Sequence, residues 1–398
     1  MFESLKSERS HTNQDLWDLI LLFLRLGTTA FGGPAAHIAM MQDEVVRRKQ
    51  WLTRDEFLDL LGATNLMPGP NSTEMAIHIG HKRAGWMGLV LAGVAFILPA
   101  TLIVTACAWA YVKYGSTAEA RSLAYGIKPV IIAVVLQALW SLSKTAVKTW
   151  TLLLIGSASF ALNCVGVSEL TVLFASGLTM LVLHSASQPK LWDGASPLIG
   201  TSILGNFWAQ SAALTASAAG SAMSFSLGAL FLAFAKIGAV LFGSGYVLIA
   251  FIRADLVEKL HWLTESQLLD AVAVGQVTPG PVFTTATFIG YLLAGNAGAF
   301  IATVGIFLPA FLFVAASVII LPKLRKSSRV GAFLDGLNVA SLALMAVVTL
   351  QLLKTAVIDP FTAVLAITSA FLLIRYKLNS VWLVIGGAIS GFLFGHYT

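Results

Sequence analysis

Residues 51–70 read WLTRDEFLDLLGATNLMPGP, and residues 262–281 read WLTESQLLDAVAVGQVTPGP. Both stretches open on Trp-Leu-Thr, pass through a helix-like pattern and end on Pro-Gly-Pro, 211 positions apart. The register holds on both sides. FLRLGTTAFGGP from Phe23 meets FAKIGAVLFGSG from Phe234 at the same offset. After a one-residue gap, ILPA at 97–100 meets FLPA at 307–310, and the KTAV that starts at Lys144 meets the one at Lys354. So many matches in one register mean that the chain is written twice, with units of roughly 17–183 and 228–395.

Composition fixes the environment of both copies. Of 398 residues, 57% are hydrophobic and 11% charged, against about 25% charged in soluble domains. Residues 87–112 carry no charge at all, and roughly 20 apolar residues suffice for a helix to cross a bilayer. The chain reads as an all-α polytopic membrane protein with no soluble domain and the lipid bilayer as its medium. The net charge of +6 is accounted for by basic loops on the cytoplasmic side. No basic run alternates with aromatics, so no nucleic-acid partner is expected. Cys107 and Cys164 lie in apolar segments and read as packing residues. Residues 1–15 are polar, without the apolar core of a signal peptide, and are expected to stay in the cytoplasm.

The basic residues also orient the copies. In the first they gather at Arg47, Arg48 and Lys49, at Lys82 and Arg83, and at Lys144 and Lys148. In the second they gather at Lys323, Arg325, Lys326 and Arg329, and at Arg375 and Lys377, where the first copy is nearly neutral. The clusters swap sides, which predicts two inverted-topology repeats. Short helices are expected at 16–30, 34–48, 54–67 and 71–81, forming re-entrant half-membrane hairpins, followed by longer ones at 86–112, 119–145, 149–164 and 168–184. The expected organisation is a first repeat at 16–184, a linker at 185–224 and a second repeat at 225–398. Inversion requires one more crossing, which the uncharged stretch near 196–217 can supply.

Broken helices inside a bilayer are costly unless they line a cavity or are buried in protein. Here breaks fall at FGGP (31–34), FGSG (242–245) and both Pro-Gly-Pro turns. Proline suits the first position of a helix, so new helices should start at Ala35, Asn71, Tyr246 and Val282. Their free amides and dipoles favour an anion. Asn65, Asn71, Ser72 and Thr73, with Gln276, Thr284 and Thr285 in the second copy and Ser244 in its FGSG break, can add polar contacts. Gly32, Gly33, Gly69, Gly243 and Gly280 let backbone approach a ligand. Arg25 sits in the middle of an apolar helix, its repeat partner is Lys236, and intramembrane cations are functional candidates by default. The competing reading pairs them with a buried acid such as Asp59 or Asp270.

Glu74, matched by Thr285, is a candidate coupling group, or else caps its helix. Thr53 and Thr264 open capping boxes, with Asp59 and Asp270 structural beyond them. His78 and His81 lack the further ligands that a metal would need. No cofactor motif or catalytic constellation is present, so an enzyme is not expected.

The set FGGP, WLT before a capping box, MPGPNS and FILPA, duplicated at this spacing, resembles the chromate ion transporter family in its long, two-domain form. The resemblance covers nearly the whole chain. It implies a transporter of the inner membrane that expels chromate, with sulfate as its natural mimic, and so gives chromate resistance. A proton-coupled oxyanion importer and a passive anion channel are the alternatives, and a homodimer stays open. The matched positions are Phe31–Pro34, Pro68–Asn71 and Pro279–Pro281. FGSG departs from FGGP and Val282 replaces the Asn71-type residue, so the first copy is expected to carry more of the ligand contacts.

Overall fold

The computed structural model describes residues 13–31, 33–186, 225–242, 245–324, 328–376 and 378–394. The crossing expected near 196–217 and the N-terminal segment up to residue 12 lie outside the described residues. Fourteen α-helices account for nearly all the rest, and five helices are long and apolar enough to span a bilayer.

The first repeat begins with α1 (Asn13–Thr29) and α2 (Gly33–Gln42), the latter widening into a π-helical turn at Asp43–Arg48. Then α3 (Arg54–Thr64) runs up to the first Pro-Gly-Pro turn, and α4 (Asn71–Tyr114) leaves it. The long α4 is two helices in contact. At Ala84 and Gly85 the backbone departs from helical geometry, and Gly85 takes φ +60°, a value glycine adopts without a Cβ penalty. The chain then doubles back, so closely that a Cβ on Gly80 would strike the Gly88 carbonyl oxygen and Ala92. The separate helices expected at 71–81 and 86–112 are therefore the two arms of this hairpin.

Contacts at the base of the hairpins place their ends on one face. Arg83 pairs with Asp15 at 2.6 Å, and Lys82 with Glu56 at 3.1 Å. The Arg83 guanidinium also lies 4.9 Å from the centre of the Trp51 ring. So α1 enters and α2 returns, α3 enters and the first arm of α4 returns, as the half-length helices led one to expect. The second arm of α4 crosses, α5 (Ala118–Ala146) crosses back, and α6 (Trp150–Cys164) and α7 (Glu169–Ala186) close the repeat. Thr53, Thr117 and Thr149 cap α3, α5 and α6 through their side chains, and Thr53 forms the expected capping box with Glu56.

The second repeat follows the same plan. It comprises α8 (Leu227–Val240), α9 (Leu248–Ile252) with the π-helical Arg253–Lys259, α10 (Glu265–Val277), a 3₁₀ turn at Val282–Thr284 running into α11 (Thr285–Leu324), α12 (Ser328–Ala356), α13 (Pro360–Tyr376) and α14 (Ser380–Phe394). Thr264 and Gln267 repeat the capping box. Gly295 repeats the reversal at φ +59°, and Thr287 and Thr303 hydrogen-bond across that hairpin at 2.7 Å.

Inversion is visible where equivalent helices meet. Helices α5 and α12 correspond at an offset of 210 and lie side by side. Lys148, just past the end of α5, pairs with Asp335 near the start of α12 at 2.7 Å. Tyr125, near the start of α5, donates to Asp359 just past the end of α12 at 2.6 Å. Equivalent helices thus run antiparallel. Residues 125 and 335 are themselves repeat partners, and their partners in these clamps, 148 and 359, lie one position out of register.

Hydrophobicity alone does not bind helices in lipid, where close packing through small residues takes over. Gly126 of α5 fits against the backbone of Gly387 and Gly391 on α14, and Gly27 lies against the Phe96 carbonyl, with no room for a Cβ at either. Phe23, Phe96 and Phe234 are fully buried.

Candidate functional site

The two Pro-Gly-Pro turns are held by each other's repeat. The Gly69 amide donates to the Leu241 carbonyl at 2.8 Å, and the Gly280 amide donates to the Ala30 carbonyl at 3.0 Å. These are the same bond twice, related by the internal duplication. Each turn therefore docks on the frayed end of the other repeat's first helix, and all four breaks meet in one region. Both glycines sit at positive φ, +138° and +87°.

New helices start at these turns. Thr73 and Glu74 are the first amides to bond back, both to the Pro70 carbonyl, at 2.7 and 3.0 Å. The amides of Asn71 and Ser72 precede that first bond and have no partner within their helix. In the second repeat Thr284 donates to the Pro281 carbonyl at 3.0 Å, which leaves Val282 and Phe283 in the corresponding place. Each start carries the equivalent of about half a positive charge.

Two adjoining cavities reach this region. One, of about 310 Å³, is lined by Pro34, Pro70, Asn71, Ser72, Pro281 and Val282 among others. The larger, of about 620 Å³, extends from Lys144 at the end of α5 and Asn379 before α14 inward to Gly33, Gln276 and Gly280. They share Gln137, Ser141, Tyr246 and Val282 as walls. Among the described residues lining them, Lys144 alone carries a full charge, and its ammonium rests 4.9 Å from the centre of the Trp140 ring.

Of the residues singled out from sequence, Gly33, Asn71, Ser72, Gln276 and Gly280 line these cavities. Asn65 steadies Asn71, whose side-chain amide donates to it at 3.0 Å. The Gln276 Nε2 donors and the Thr73 hydroxyl are shut away with no hydrogen-bond partner, which is unusual for buried polar atoms. Thr284 and Thr285 are buried, and their hydroxyls donate to the carbonyls of Pro281 and Val282. Gly32, Gly243 and Ser244 lie outside the described residues.

Arg25 and Lys236 are placed elsewhere. Arg25 pairs with Glu44 at 2.6 Å and Lys236 with Asp255 at 2.7 Å, and neither lines the two cavities. Their partners are not Asp59 and Asp270. Glu44 and Asp255 are repeat equivalents on the two π-helical turns, so each pair ties a first helix to the segment after it. Glu74 is fully buried behind the first turn, and neither carboxyl oxygen has a partner. His78 and His81 diverge: His78 lies 3.4 Å from the Ser317 hydroxyl, and His81 meets the Trp86 ring edge-on.

Sequence reasoning did not single out Gln137 or Ser141, and it counted Lys144 only among the basic clusters; it named Tyr246 as a helix start, whereas the helices after the FGGP and FGSG breaks begin at Gly33 and Leu248. The signal for Lys144 was present in the duplicated KTAV. For Gln137 it was a lone amide in the apolar run of α5.

Comparison with known proteins fits this duplicated plan. The family model for the chromate transporter matches twice, over residues 17–181 and 228–392. A chromate transport protein of Cupriavidus metallidurans is 34% identical over 379 residues, 94% of this chain and 92% of the relative. A probable chromate transport protein of Synechococcus elongatus is 32% identical, covering 96% and 97%, and a chromate transport protein of Pseudomonas aeruginosa is 30% identical, covering 94% and 91%. No solved structure matches the chain. With both repeats matched by one family model, and full-length relatives above 30% identity, the chain belongs to the chromate transporter family.

Proposed function

We propose that this protein carries chromate out of the cell across the inner membrane, with sulfate as a competing substrate. The observation that carries the reading is the reciprocal docking of the two Pro-Gly-Pro turns, which sets paired helix starts and the orphaned Gln276 donors beside a cavity. A tetrahedral dianion needs donors on several sides and little else. Backbone amides at Asn71, Ser72, Val282 and Phe283, with the side chains of Asn71, Ser72 and Gln276, supply that shell. Lys144 draws the anion in from the basic, cytoplasmic face, and Tyr246 and Val282 wall the inner end.

Outward movement is the favourable direction. At about 100 mV, negative inside, each charge gains about 2.3 kcal/mol on leaving. A dianion therefore gains about 4.6 kcal/mol, enough for a gradient on the order of a thousandfold.

A second reading, proton-coupled oxyanion import, is favoured by Glu74, a carboxyl group buried in the membrane without a partner. Chromate flux in proteoliposomes separates the two. Export predicts chromate exit driven by potential alone, without proton movement, in wild type and in Glu74→Gln alike. If exit requires a pH gradient and Glu74→Gln abolishes it, the coupled reading replaces export. If no oxyanion moves under either gradient, both fall.

A further inference from the structure

A third cavity, of about 500 Å³, lies toward the opposite face, where the α4–α5 turn and the end of α12 meet. It is lined by Tyr111, Lys128, Ser266 and Asp270, with Arg121 at its edge. The walls it shares with the larger cavity, of about 620 Å³, are α5 and α10. On α5 the lining passes from Lys128 to Val134, a rise of about 9 Å at 1.5 Å per residue. The intervening Val130, Ile131 and Ile132 are fully buried, and on α10 the two linings meet, Val274 on one side and Gly275 on the other. A thin apolar barrier therefore separates two polar chambers that approach it from opposite sides.

The polar end of this third cavity is built around one loosely held cation. The Lys128 ammonium donates to the Ser266 hydroxyl at 2.6 Å and stands 3.5 Å from Asp270. Asp270 accepts a closer bond, 2.8 Å, from the Tyr111 hydroxyl. The lysine and aspartate side chains are only 18% and 12% exposed. A lysine this far from water gains most from an anion that it can touch closely, and its own carboxylate does not come closest to it. The internal duplication does not account for the pair, because the repeat equivalent of Lys128 is Asn338.

We propose that Lys128, with the Ser266 and Tyr111 hydroxyls, forms a release site on the outer side for the same class of tetrahedral oxyanion, with Asp270 as the internal counter-ion that reclaims Lys128 when the anion leaves. This rests on the oxyanion-transport reading above. The site offers a charge and two hydroxyl donors to an anion that has passed the barrier. Asp270 repels that anion and competes for the lysine, so the site is occupied briefly and empties outward.

Right-side-out membrane vesicles loaded with labelled chromate test this, with unlabelled chromate added outside to stimulate exchange. Lys128→Gln should raise the external half-maximal concentration about tenfold, the usual scale for losing a hydrogen bond from a charged group, while the internal half-saturation stays within about twofold. Lys128→Arg should keep both near wild type. Asp270→Asn should lower the external value by removing the competitor. An unchanged external value in Lys128→Gln, or equal shifts on both sides, overturns the release site. If Lys128→Gln does not reach the membrane, Asp270→Asn decides, and an unchanged or raised external value overturns it. A wild-type protein that moves no chromate refutes the transport reading itself, whatever the variants do.

Discussion

At the scale of single residues, Arg25 and Lys236 show what sequence position conveys about a helical side chain. Their depth in an apolar segment was legible, and so was their equivalence. Which way they point was not, since azimuth depends on which helix face packs. Each turns to an acid on the following π-helical segment, Glu44 or Asp255. Removing the first cation leaves each acid with its second, Arg48 at 3.2 Å from Glu44 and Lys259 at 3.3 Å from Asp255, so a buried carboxylate is left less well satisfied. Arg25→Met should therefore lower the melting midpoint in detergent, by roughly 1 °C for each kcal/mol lost in a chain of this length. Because the arginine is about half exposed, the loss is smaller than for a fully buried pair. Adding Glu44→Gln should recover part of it, since it also gives up the pair with Arg48. If the double variant regains stability but not chromate flux, Arg25 acts on the substrate as well as on the fold. The Pro-Gly-Pro residues were easier to read, because a proline placed after a break states its own structural role. Gln276 was named only through its nearness to that turn, and nothing in sequence foretold that its donors would be left unpaired.

At the scale of elements, the capping boxes, the half-length helices and the reversal near Gly85 were all written locally, in short-range patterns that do not depend on distant packing. The clamps between α5 and α12 were not, because Tyr125 and Asp359 lie 234 positions apart. Asp359 opens α13. Partial burial there tends to raise its carboxyl, but the Tyr125 hydroxyl and the Thr362 amide outweigh this and hold it below the usual carboxylate range. A depressed folded-state value means that the ionised form stabilises the protein above the unfolded value, near 3.9, and that this contribution is lost as pH falls through the lower folded value. Tyr125→Phe removes one of the stabilising donors. The melting midpoint of the variant should lie below that of wild type at neutral pH, and the two should converge as acid protonates the Asp359 carboxylate. A gap that persists unchanged at low pH would show that Tyr125 acts through the stacking of its ring on Phe361 and not through the carboxylate.

For the whole molecule, inversion was readable in the exchange of basic clusters, but the interlocking of the repeats was not. The bonds from Gly69 to Leu241 and from Gly280 to Ala30 join residues that no local pattern connects. Interlocked inverted repeats allow a second conformation in which the repeats trade roles. In the present one, Val134, Gln137, Trp140, Ser141 and Lys144 line the cavity toward the basic face. Their equivalents at an offset of 210 are Leu344, Val347, Leu350, Gln351 and Lys354. Leu344 and Val347 are buried, and the Gln351 side-chain oxygen is shut away without a partner. A polar atom stored in this way is one that water or substrate would satisfy if the other side opened. With Cys107 and Cys164 replaced by serine, a cysteine at Gln137 should react with an impermeant thiol reagent added to the basic face of the resting protein. One at Val347 should react only from the opposite face, and faster once chromate and a membrane potential drive turnover. Labelling at 347 that is indifferent to turnover, or that comes from the same face as at 137, would rule out an exchange of roles and leave a fixed pore.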